Sequence, residues 1–450
     1  MVRSTLLVVG MSLWGAALPA CGSDDAPIDA ASVDSGLVDS GSLDDARPPS
    51  DAPVPDGGGA QDAPASDAGG CATGEMFCGA GCVVTATDPD HCGSCDTVCG
   101  AGQICRASSC VDVAPAGEAD LTVDTVATDL EVVWEIRFLP SGDLLVTERP
   151  GRLTRVAIAD GAQTVLATLP VTTGGETGLM GLALDPDFET NGHVYVCYSY
   201  RSGGVMNRVS RLTVSGETAG DEMILLDAIP GASNHDGCRL GFGPDDKLYV
   251  TTGDGAVPDR AQDPSSLNGK VLRMNADGSV PADNPFPDSL VYTLGHRNPQ
   301  GLDWHRTGVL FVSEHGPSAN DEINRLQSGL NYGWPTYGGA PGVDGYEDSV
   351  YAWTPTIAPA GGVFYDRTEI RGWRGSYLLV TLKEADLRRL TASDADFTTV
   401  DDETILFDGD WGRLRAIRVG PDGWIYIGTS ARDGRGSPGP DDDRILRIRM

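Results

Sequence analysis

The chain has 450 residues, which by length alone suggests about three domains, although all-β folds are often larger. It contains 32 Lys and Arg residues against 65 Asp and Glu residues, so its formal net charge at pH 7 is -33. This charge argues against a nucleic-acid partner, because binding a phosphate backbone requires a basic surface. Any anion that binds this protein must therefore find a local cluster of basic residues.

The N-terminus has the layout of a secretory signal. Arg3 precedes an apolar run over residues 6–18, and Leu-Pro-Ala-Cys follows, ending at Cys21. The run is shorter than the roughly 20 residues that a membrane span needs. Residues 1–21 resemble a bacterial lipoprotein signal, which would be cleaved before Cys21 and lipidated on that thiol; an ordinary cleaved signal is the alternative. Either way we expect export, and lipidation would anchor the protein in the bacterial cell envelope, in the periplasm or at the cell surface.

Residues 22–70 are rich in Asp, Ala, Ser, Pro and Gly, with Arg47 as the only basic residue and no aromatic residue. Such a segment buries too little apolar surface to offset its chain entropy. We therefore expect a disordered acidic linker.

Residues 71–112 form a predicted cysteine-rich module. Its eight cysteines lie at positions 71, 78, 82, 92, 95, 99, 105 and 110. An even number of cysteines in an exported segment with few large apolar residues predicts a disulfide framework of undetermined pairing. Zinc is the alternative, because Cys92 and Cys95 have metal-ligand spacing. The segment resembles the small modules of plant stigma-specific proteins and of some bacterial surface proteins.

Residues 118–450 contain a weak internal repeat of two apolar strands around a turn rich in Pro, Asp and Gly. The six copies occupy residues 136–147, 182–198, 240–251, 302–313, 362–380 and 416–429. Five copies continue into a third strand ending in a Val/Ile/Leu-Xaa-Arg-like unit, at residues 151–156, 269–273, 322–326, 387–390 and 443–447. Repeats of this length predict an all-β fold, a six-bladed β-propeller, whose last blade is closed by an early strand near residues 121–126.

The third hairpin carries the first candidate site. His235 precedes it, Asp254 follows it, and the turn at residues 243–246 lies between them. Residues equidistant from a hairpin turn lie side by side, so these two side chains can meet at one rim. A carboxylate fixes the tautomer of a histidine and raises its basicity, as a general base for an alcohol requires. The alternative is a surface histidine near an unrelated turn aspartate.

Three later blades each offer a cation at an equivalent place. Arg297 belongs to the fourth blade, Lys383 to the fifth, and Arg413 and Arg415 to the sixth. Converging on the axis, they would form a pocket for a polycarboxylate ligand. The alternative is a set of separate, solvated charges.

With these motifs, residues 130–449 resemble the soluble quinoprotein sugar dehydrogenases that use pyrroloquinoline quinone (PQQ), especially the aldose sugar dehydrogenases. The resemblance implies that His235 is the base and that Asp254 orients it. It implies cofactor contacts from Glu176, Arg297, Asn298, Lys383, Arg413 and Arg415. Glu176 replaces the glutamine usual in the family, and Ser430 stands where an aspartate is common.

The same resemblance implies calcium (Ca²⁺). The main-chain carbonyls of Gly316 and Pro317 match those that hold the ion clamping the quinone, and oxygen ligands suit this ion. Glu322 and Tyr332 match ligands of a second, structural calcium, for which an ordinary solvated loop is the alternative.

The expected activity is oxidation of a small-molecule aldose at the anomeric carbon to the lactone; the sequence does not define the electron acceptor. A non-catalytic binding propeller like that of Hedgehog-interacting proteins and a calcium-dependent lactonase are the alternatives. Cys197 and Cys238 lie in neighbouring blades, so they either pair or remain as buried thiols. The Gly-rich segment 434–439 lacks the strand-to-helix context of a dinucleotide site.

Overall fold

The structure is a computed structural model that describes residues 71–79 and 81–450. The predicted signal at residues 1–21, with its lipidated Cys21, and the acidic linker at residues 22–70 lie outside the described residues. Within the described part of the chain, no helix is long and apolar enough to cross a membrane.

The cysteine-rich module consists of two small hairpins tied by four disulfides. Its strands are β1 (Met76–Cys78), β2 (Gly81–Val83), β3 (Gln103–Arg106) and β4 (Ser109–Asp112). Its disulfides are Cys71–Cys82, Cys78–Cys95, Cys92–Cys105 and Cys99–Cys110. The predicted disulfide framework is therefore confirmed. Since Cys92 and Cys95 belong to different disulfides, the structure does not support zinc at this pair.

Strand β5 (Thr122–Ala127) is followed by five blades and most of a sixth. The first blade contains β6 (Val133–Phe138), β7 (Leu144–Glu148), β8 (Arg152–Val156) and β9 (Gln163–Thr168). The second contains β10 (Leu179–Leu184), β11 (His193–Arg201), β12 (Val205–Ser215) and β13 (Thr218–Pro230). The third contains β14 (Gly237–Phe242), β15 (Leu248–Thr252), β16 (Lys270–Met274) and β17 (Val291–Leu294).

The fourth blade contains β18 (Pro299–Trp304), β19 (Leu310–Glu314), β20 (Asp321–Arg325) and β21 (Tyr351–Trp353). The fifth contains β22 (Pro359–Tyr365), β23 (Ser376–Thr381), β24 (Leu387–Thr391) and β25 (Asp402–Leu406). The sixth contains β26 (Leu414–Val419), β27 (Ile425–Thr429) and β28 (Ile445–Arg449). The helical elements are the short helix α1 (Phe188–Asn191) and two 3₁₀ turns (Glu118–Asp120 and Pro258–Ala261).

The six-bladed propeller predicted from the repeat is confirmed. Each blade is an antiparallel sheet of four strands, and the fourth strand of the sixth blade is β5, which pairs with β28. The ring is thus closed by an N-terminal strand at the predicted place. Closure pairs the first and last strands of the propeller, so that the last strand, β28, is not left as an open edge.

Burial decreases from the axis outward. The second strands β7, β15, β19, β23 and β27 are buried at every position, whereas the outer strands β9, β13 and β25 are largely exposed. Apolar clusters fill the wedges between neighbouring blades. The largest buried side chains include Trp134 and Trp373.

A β-bulge occurs at the start of the inner strand of every blade, seen as a register shift between the first and second strands. A bulge bends a strand and redirects a side chain. Bulged residues from different blades consequently meet at the axis. The guanidinium of Arg239 lies 4.1 Å from the ring centre of Trp134, and that of Arg415 lies 5.8 Å from it.

The cysteine-rich module packs against the turn between β22 and β23 in the fifth blade. Arg374 is buried there, donating a hydrogen bond to the carbonyl of Cys99 (2.8 Å) and forming an ion pair with Asp90. The indole of Trp373 donates to the carbonyl of Ala116 (2.8 Å). The module therefore covers polar groups of the propeller that would otherwise need other partners.

Candidate active site

The predicted site residues converge on one rim of the propeller. Since strands alternate in direction, the starts of the inner strands and the ends of the second strands share this rim. Residues just before inner strands are Glu176, His235, Arg297, Asn298 and Arg413; residues just after second strands are Asp254, Gly316 and Lys383.

The imidazole of His235 lies against the carboxylate of Asp254. Its Nδ1 is 2.9 Å from Asp254 Oδ1, and Asp254 Oδ2 accepts a hydrogen bond from the indole of Trp334 (2.9 Å). When Asp254 is ionised it can only accept a hydrogen bond, and it then favours the His235 tautomer that carries the proton on Nδ1 and leaves the lone pair of Nε2 free. Asp254 is fully buried, whereas the side chain of His235 retains 14% exposure. The pair thus presents a basic nitrogen towards solvent.

The backbone that carries this histidine is strained. His235, Gly237 and Cys238 have positive φ values of 63°, 65° and 69°. A non-glycine residue in the left-handed region costs about 1 to 2 kcal/mol, so neighbouring contacts must hold the segment. One of these contacts is the disulfide between Cys238 and Cys197 of the second blade.

Glu176 connects three groups of the site. Its Oε2 accepts hydrogen bonds from the backbone N–H of His235 (3.0 Å) and from Asn298 Nδ2 (3.2 Å). Its Oε1 lies 3.3 Å from a guanidinium nitrogen of Arg435. Burial alone would raise the pKa of Glu176, but nearby His315, the His235 N–H and nearby arginines outweigh it and lower the pKa. Residue 176 is therefore an anion that bridges the second blade to the third, fourth and sixth.

Arg297 and Asn298 stand between the base and the predicted calcium loop. Arg297 donates hydrogen bonds to the carbonyls of His315 (3.0 Å) and Gly316 (2.8 Å), and its guanidinium lies 5.3 Å from the ring centre of Trp334. Its buried Nε has no hydrogen-bond partner among the described residues. Asn298 Oδ1 accepts a hydrogen bond from the N–H of Gly237 (3.1 Å).

The remaining cations surround Asp433. Arg413 Nε donates to Asp433 Oδ2 (2.7 Å), and Arg413 also donates to the carbonyl of Leu382 (2.7 Å). Arg415 lies 3.9 Å from the same carboxylate and donates to Gln300 (3.0 Å). Burial lowers the pKa of Arg415 to about 9.

Lys383 lies at the edge of this group. Its ammonium donates to the carbonyl of Thr356 and lies 3.1 Å from Glu384, while its side chain is half exposed. Its main chain directly follows Leu382, which accepts the hydrogen bond from Arg413. The four predicted cations therefore come from three blades to one side of the ring.

A cavity of about 250 Å³ is lined by His235, Glu176, Arg297 and Arg435 among others, whereas Lys383, Arg413 and Arg415 do not line it. Among the described residues, three larger cavities, of about 600, 610 and 380 Å³, are lined by none of the predicted site residues. Burial lowers the pKa of Arg297 and Arg415, since each guanidinium loses water. A polyanion bound beside them would compensate this cost, so the residues present fit a polycarboxylate such as PQQ.

The predicted calcium ligands line an adjoining cavity of about 200 Å³. Gly316, Pro317, Glu322 and Tyr332 all contribute to its wall. Burial, followed by the charge of Glu314, raises the pKa of Glu322 to about 8. A divalent cation would relieve this unfavourable carboxylate, which fits the calcium hypothesis.

Both predicted calcium sites would use main-chain oxygens, in the second site beside the carboxylate of Glu322. The hydroxyl of Tyr332 donates to the carbonyl of Arg325 (2.8 Å) and accepts from the N–H of Gln327 (2.9 Å), so only its main-chain carbonyl is suited to a ligand role. Asp321 accepts the N–H of Gly316 (2.7 Å) and thereby fixes the loop that carries the Gly316 and Pro317 carbonyls.

Several contributors to the site did not emerge from the sequence. Asp433 and Arg435 lie in the loop between β27 and β28, in which the sequence offers only a formal match to a dinucleotide motif, at residues 434–439. Arg149 joins that loop to the second blade by donating to the carbonyls of Gly175 (2.6 Å) and Asp433 (3.2 Å). The one signal in the sequence for this loop was Ser430, which stands where an aspartate is common in the family. Its hydroxyl contacts Arg415 (3.2 Å), and Asp433, three residues later, supplies the carboxylate.

Comparisons with known proteins agree with this arrangement. The profile of the family Glucose / Sorbosone dehydrogenase matches residues 130–446. The PQQ-bound aldose sugar dehydrogenase of Streptomyces coelicolor is 38% identical, with a TM-score of 0.67 over 75% of this chain and 99% of that one. The aldose sugar dehydrogenase YliI of Escherichia coli is 31% identical over 71% of this chain and 92% of its own length. Quinoprotein glucose dehydrogenase B of Acinetobacter calcoaceticus is 29% identical over 68% of this chain and 84% of its own. This chain belongs to the glucose/sorbosone dehydrogenase family.

Proposed function

We propose that this protein is a PQQ- and calcium-dependent dehydrogenase that oxidises an aldose at its anomeric carbon to the lactone. Relatives named as aldose sugar and quinoprotein glucose dehydrogenases support the substrate and cofactor class. The observation that carries the proposal is the His235–Asp254 pair, which opens beside a cavity bordered by the guanidinium groups of Arg297 and Arg435.

Arg297, Asn298, Lys383, Arg413 and Arg415, together with Glu176, would hold the cofactor. Guanidinium groups pair with carboxylates through two parallel hydrogen bonds, which gives orientation as well as affinity. The carbonyls of Gly316 and Pro317 would hold the adjacent calcium, and Glu322 and Tyr332 a second one. PQQ, when bound, supplies the quinone that accepts the hydride from the anomeric carbon.

His235 would remove the proton of the anomeric hydroxyl through its free Nε2. Asp254 holds Nδ1–H at 2.9 Å and stabilises the imidazolium that forms, while Trp334 fixes the second oxygen of the same carboxylate. The proton of the anomeric hydroxyl moves to His235, and the hydride leaves the anomeric carbon. The sugar thus loses two electrons and two hydrogens and becomes a lactone. The surrounding guanidinium groups stabilise the negative charge that develops on the electron acceptor's side of the cavity.

A non-catalytic binding propeller is the first alternative. It would have no need for a histidine in a strained conformation held against a buried aspartate, both of which are present here. A calcium-dependent lactonase is the second alternative. It would need side-chain acids and amides around a central ion. The rim cavity is lined by Glu176, Asn234 and Asp321, but also by the guanidinium groups of Arg297 and Arg435, which would repel a cation at its centre.

The test is reconstitution of the purified protein with PQQ and calcium, followed by titration of cofactor binding and by sugar-dependent reduction of a dye. The parent should bind PQQ and oxidise aldoses. His235→Ala should bind PQQ nearly as well, but its turnover should fall by about a hundredfold or more, because a positioned general base contributes roughly 10² to 10⁴. His193→Ala, in which the replaced histidine begins β11 away from the site, is the matched control.

Two results would contradict the proposal. A His235→Ala protein that oxidised aldoses at the parent rate would exclude the histidine as the base. A parent protein that bound PQQ but reduced no dye with any aldose would favour the binding propeller.

We also propose that the protein is exported. The five disulfides support this proposal, since such bonds persist in oxidising compartments. Lipid attachment through Cys21 remains part of the proposal. Mass spectrometry of the protein isolated from membranes tests it, because diacylation adds a defined mass to an N-terminal peptide beginning at Cys21.

A further inference from the structure

The segment that carries the proposed base is held at both ends by another blade. His235 at its start and Cys238 at its end both have left-handed backbone conformations, as does Gly237 between them. Cys238 forms a disulfide with Cys197 on β11 of the second blade. Both cysteines are essentially inaccessible to solvent, with exposures of 1% and 0%.

The non-covalent contacts of this segment lead into the proposed cofactor site. The N–H of His235 donates to Glu176 (3.0 Å), and the N–H of Gly237 donates to Asn298 (3.1 Å). Glu176 lines the cavity itself. The contact between Glu176 and the His235 N–H can therefore rearrange whenever a ligand enters or leaves the cavity.

The disulfide lies in a different environment. Cys197 and Cys238 belong to the apolar cluster between the second and third blades, which also contains Met180, Leu240 and Trp134. A covalent bond within a packed apolar cluster does not depend on what occupies the cavity. The backbone beside the disulfide is also tightly packed, because a Cβ atom at Gly181 would lie 2.1 Å from the carbonyl oxygen of Cys238.

We propose that the Cys197–Cys238 disulfide is a positioning device for His235. It holds the strained segment 235–238 so that the imidazole stays on Asp254 with Nε2 directed to the substrate, whether or not the cavity is filled. A strained backbone persists only when its surroundings over-determine it, and a cross-link between blades removes the conformations into which it would relax. This inference rests on the proposed role of His235 as the base.

The test compares the parent with C197A/C238A and with the matched control C71A/C82A, which removes a disulfide of the cysteine-rich module. The first readout needs no cofactor: the Nδ1 proton shared by His235 and Asp254 should give a protected, low-field signal in protein labelled with ¹⁵N-histidine. His235→Gln assigns this signal. We expect the signal to be lost or broadened in C197A/C238A and unchanged in C71A/C82A.

The second readout is kinetic. In C197A/C238A, kcat should fall by about tenfold to a hundredfold while KM for the sugar and Kd for PQQ change by less than about threefold, because a displaced base affects the chemical step rather than binding. C71A/C82A should retain the parent kcat. If the Cys197–Cys238 disulfide had only a structural role, both variants would unfold at a lower temperature than the parent. In C197A/C238A, kcat would then not fall selectively while KM stayed the same.

A C197A/C238A protein with the parent signal and the parent kcat would overturn the proposal. If the double variant fails to fold, Cys197→Ala keeps the Cys238 side chain in the cluster and is read by the same two measurements. If the parent itself shows no PQQ-dependent activity, the proposed function fails, while the proton signal still decides whether the disulfide positions His235.

Discussion

At the residue scale, the site depends on how buried charges are paired. Asp433 forms an ion pair with Arg413 and lies 3.9 Å from Arg415. Burial alone would raise the pKa of Asp433, but the charges of these two arginines outweigh it and lower the pKa. Glu176 provides the second anion, between the base and the cofactor pocket. Lys383 is paired with Glu384, whereas the buried Nε of Arg297 has no hydrogen-bond partner among the described residues, so an anionic ligand beside Arg297 would complete the pairing.

Arg413→Ala should therefore weaken PQQ binding before it affects turnover. Losing one charge-assisted pair costs about 1.5 to 3 kcal/mol, which corresponds to roughly tenfold to 150-fold in Kd. The measurement is a PQQ titration, with kcat determined at saturating cofactor. Arg447→Ala is the control, since Arg447 pairs with Asp124 in the sixth blade away from the rim. Equal Kd values for PQQ in the two variants would show that Arg413 does not contribute to cofactor binding.

Asp236, next to the base in sequence, provides a prediction about pH. Burial raises its pKa to about 7, and its Oδ2 has no hydrogen-bond partner among the described residues. A folded-state pKa above the unfolded value means that the native state binds more protons, so the free energy of unfolding decreases as pH rises from about 4 to about 7.

Asp236→Asn removes this ionisation while preserving shape. The Tm of the variant minus that of the parent should therefore be more positive at about pH 8 than at about pH 5. The corresponding change in the free energy of unfolding should be no more than a few kcal/mol. Thermal unfolding at both pH values measures it, with the exposed Asp408→Asn as control. A Tm difference that is the same at both pH values would show that Asp236 is ionised throughout.

At the scale of elements, the two-strand repeat was readable from the sequence because both strands of each hairpin are apolar and their turns are rich in Pro, Asp and Gly. All six hairpins and the closing strand β5 were predicted. The third strand of the second blade also contains a Val-Xaa-Arg unit, at residues 209–211, which is not among the five predicted units, and the strands β12 and β13 are much longer, with 11 and 13 residues. The bulges at the inner strands were not predictable, because they depend on which residues of other blades meet at the axis.

Gly253 tests how tightly the third hairpin fixes the base. A Cβ at this position would lie 1.9 Å from the carbonyl oxygen of His235. Gly253→Ala should push the histidine away from Asp254, destabilise the fold by about 1 to 3 kcal/mol and lower turnover. Gly204→Ala is the matched control, because nothing lies within 4 Å of its Cβ and its φ is not positive. Dye reduction and thermal unfolding measure both effects, and full activity in Gly253→Ala would mean that the hairpin relaxes without moving the base.

At the scale of the whole molecule, the contacts between the module and the propeller escaped prediction. Arg374 and Cys99 are 275 positions apart, and although Cys99 belongs to the cysteine framework, Arg374 belongs to none of the predicted motifs. Composition separates the two segments correctly but carries no information about whether they pack together. The cysteine pairing was equally undetermined by sequence, since spacing alone does not choose among alternatives.

We propose that the catalytic unit is the propeller of residues 118–450 and that the module of residues 71–112 stabilises it without contributing to the site. Two truncated proteins separate these roles. A chain that starts at residue 113 keeps the carbonyl of Ala116 for the indole of Trp373, whereas a chain that starts at residue 118 leaves this buried N–H unpaired. Both lose the partners of Arg374, namely Asp90 and Cys99.

Both truncated proteins should oxidise aldoses at the parent rate at about 25 °C, because the module packs on the turn between β22 and β23, and no predicted site residue lies in it. Both should unfold at lower temperature than the parent, and the shorter protein should lose a further 1 to 3 kcal/mol or so, the approximate cost of an unsatisfied buried donor. Arg374→Ala in the full chain is the control for the loss of this contact alone. Loss of PQQ binding in the protein that starts at residue 113, with its fold intact, would instead place the module in the site.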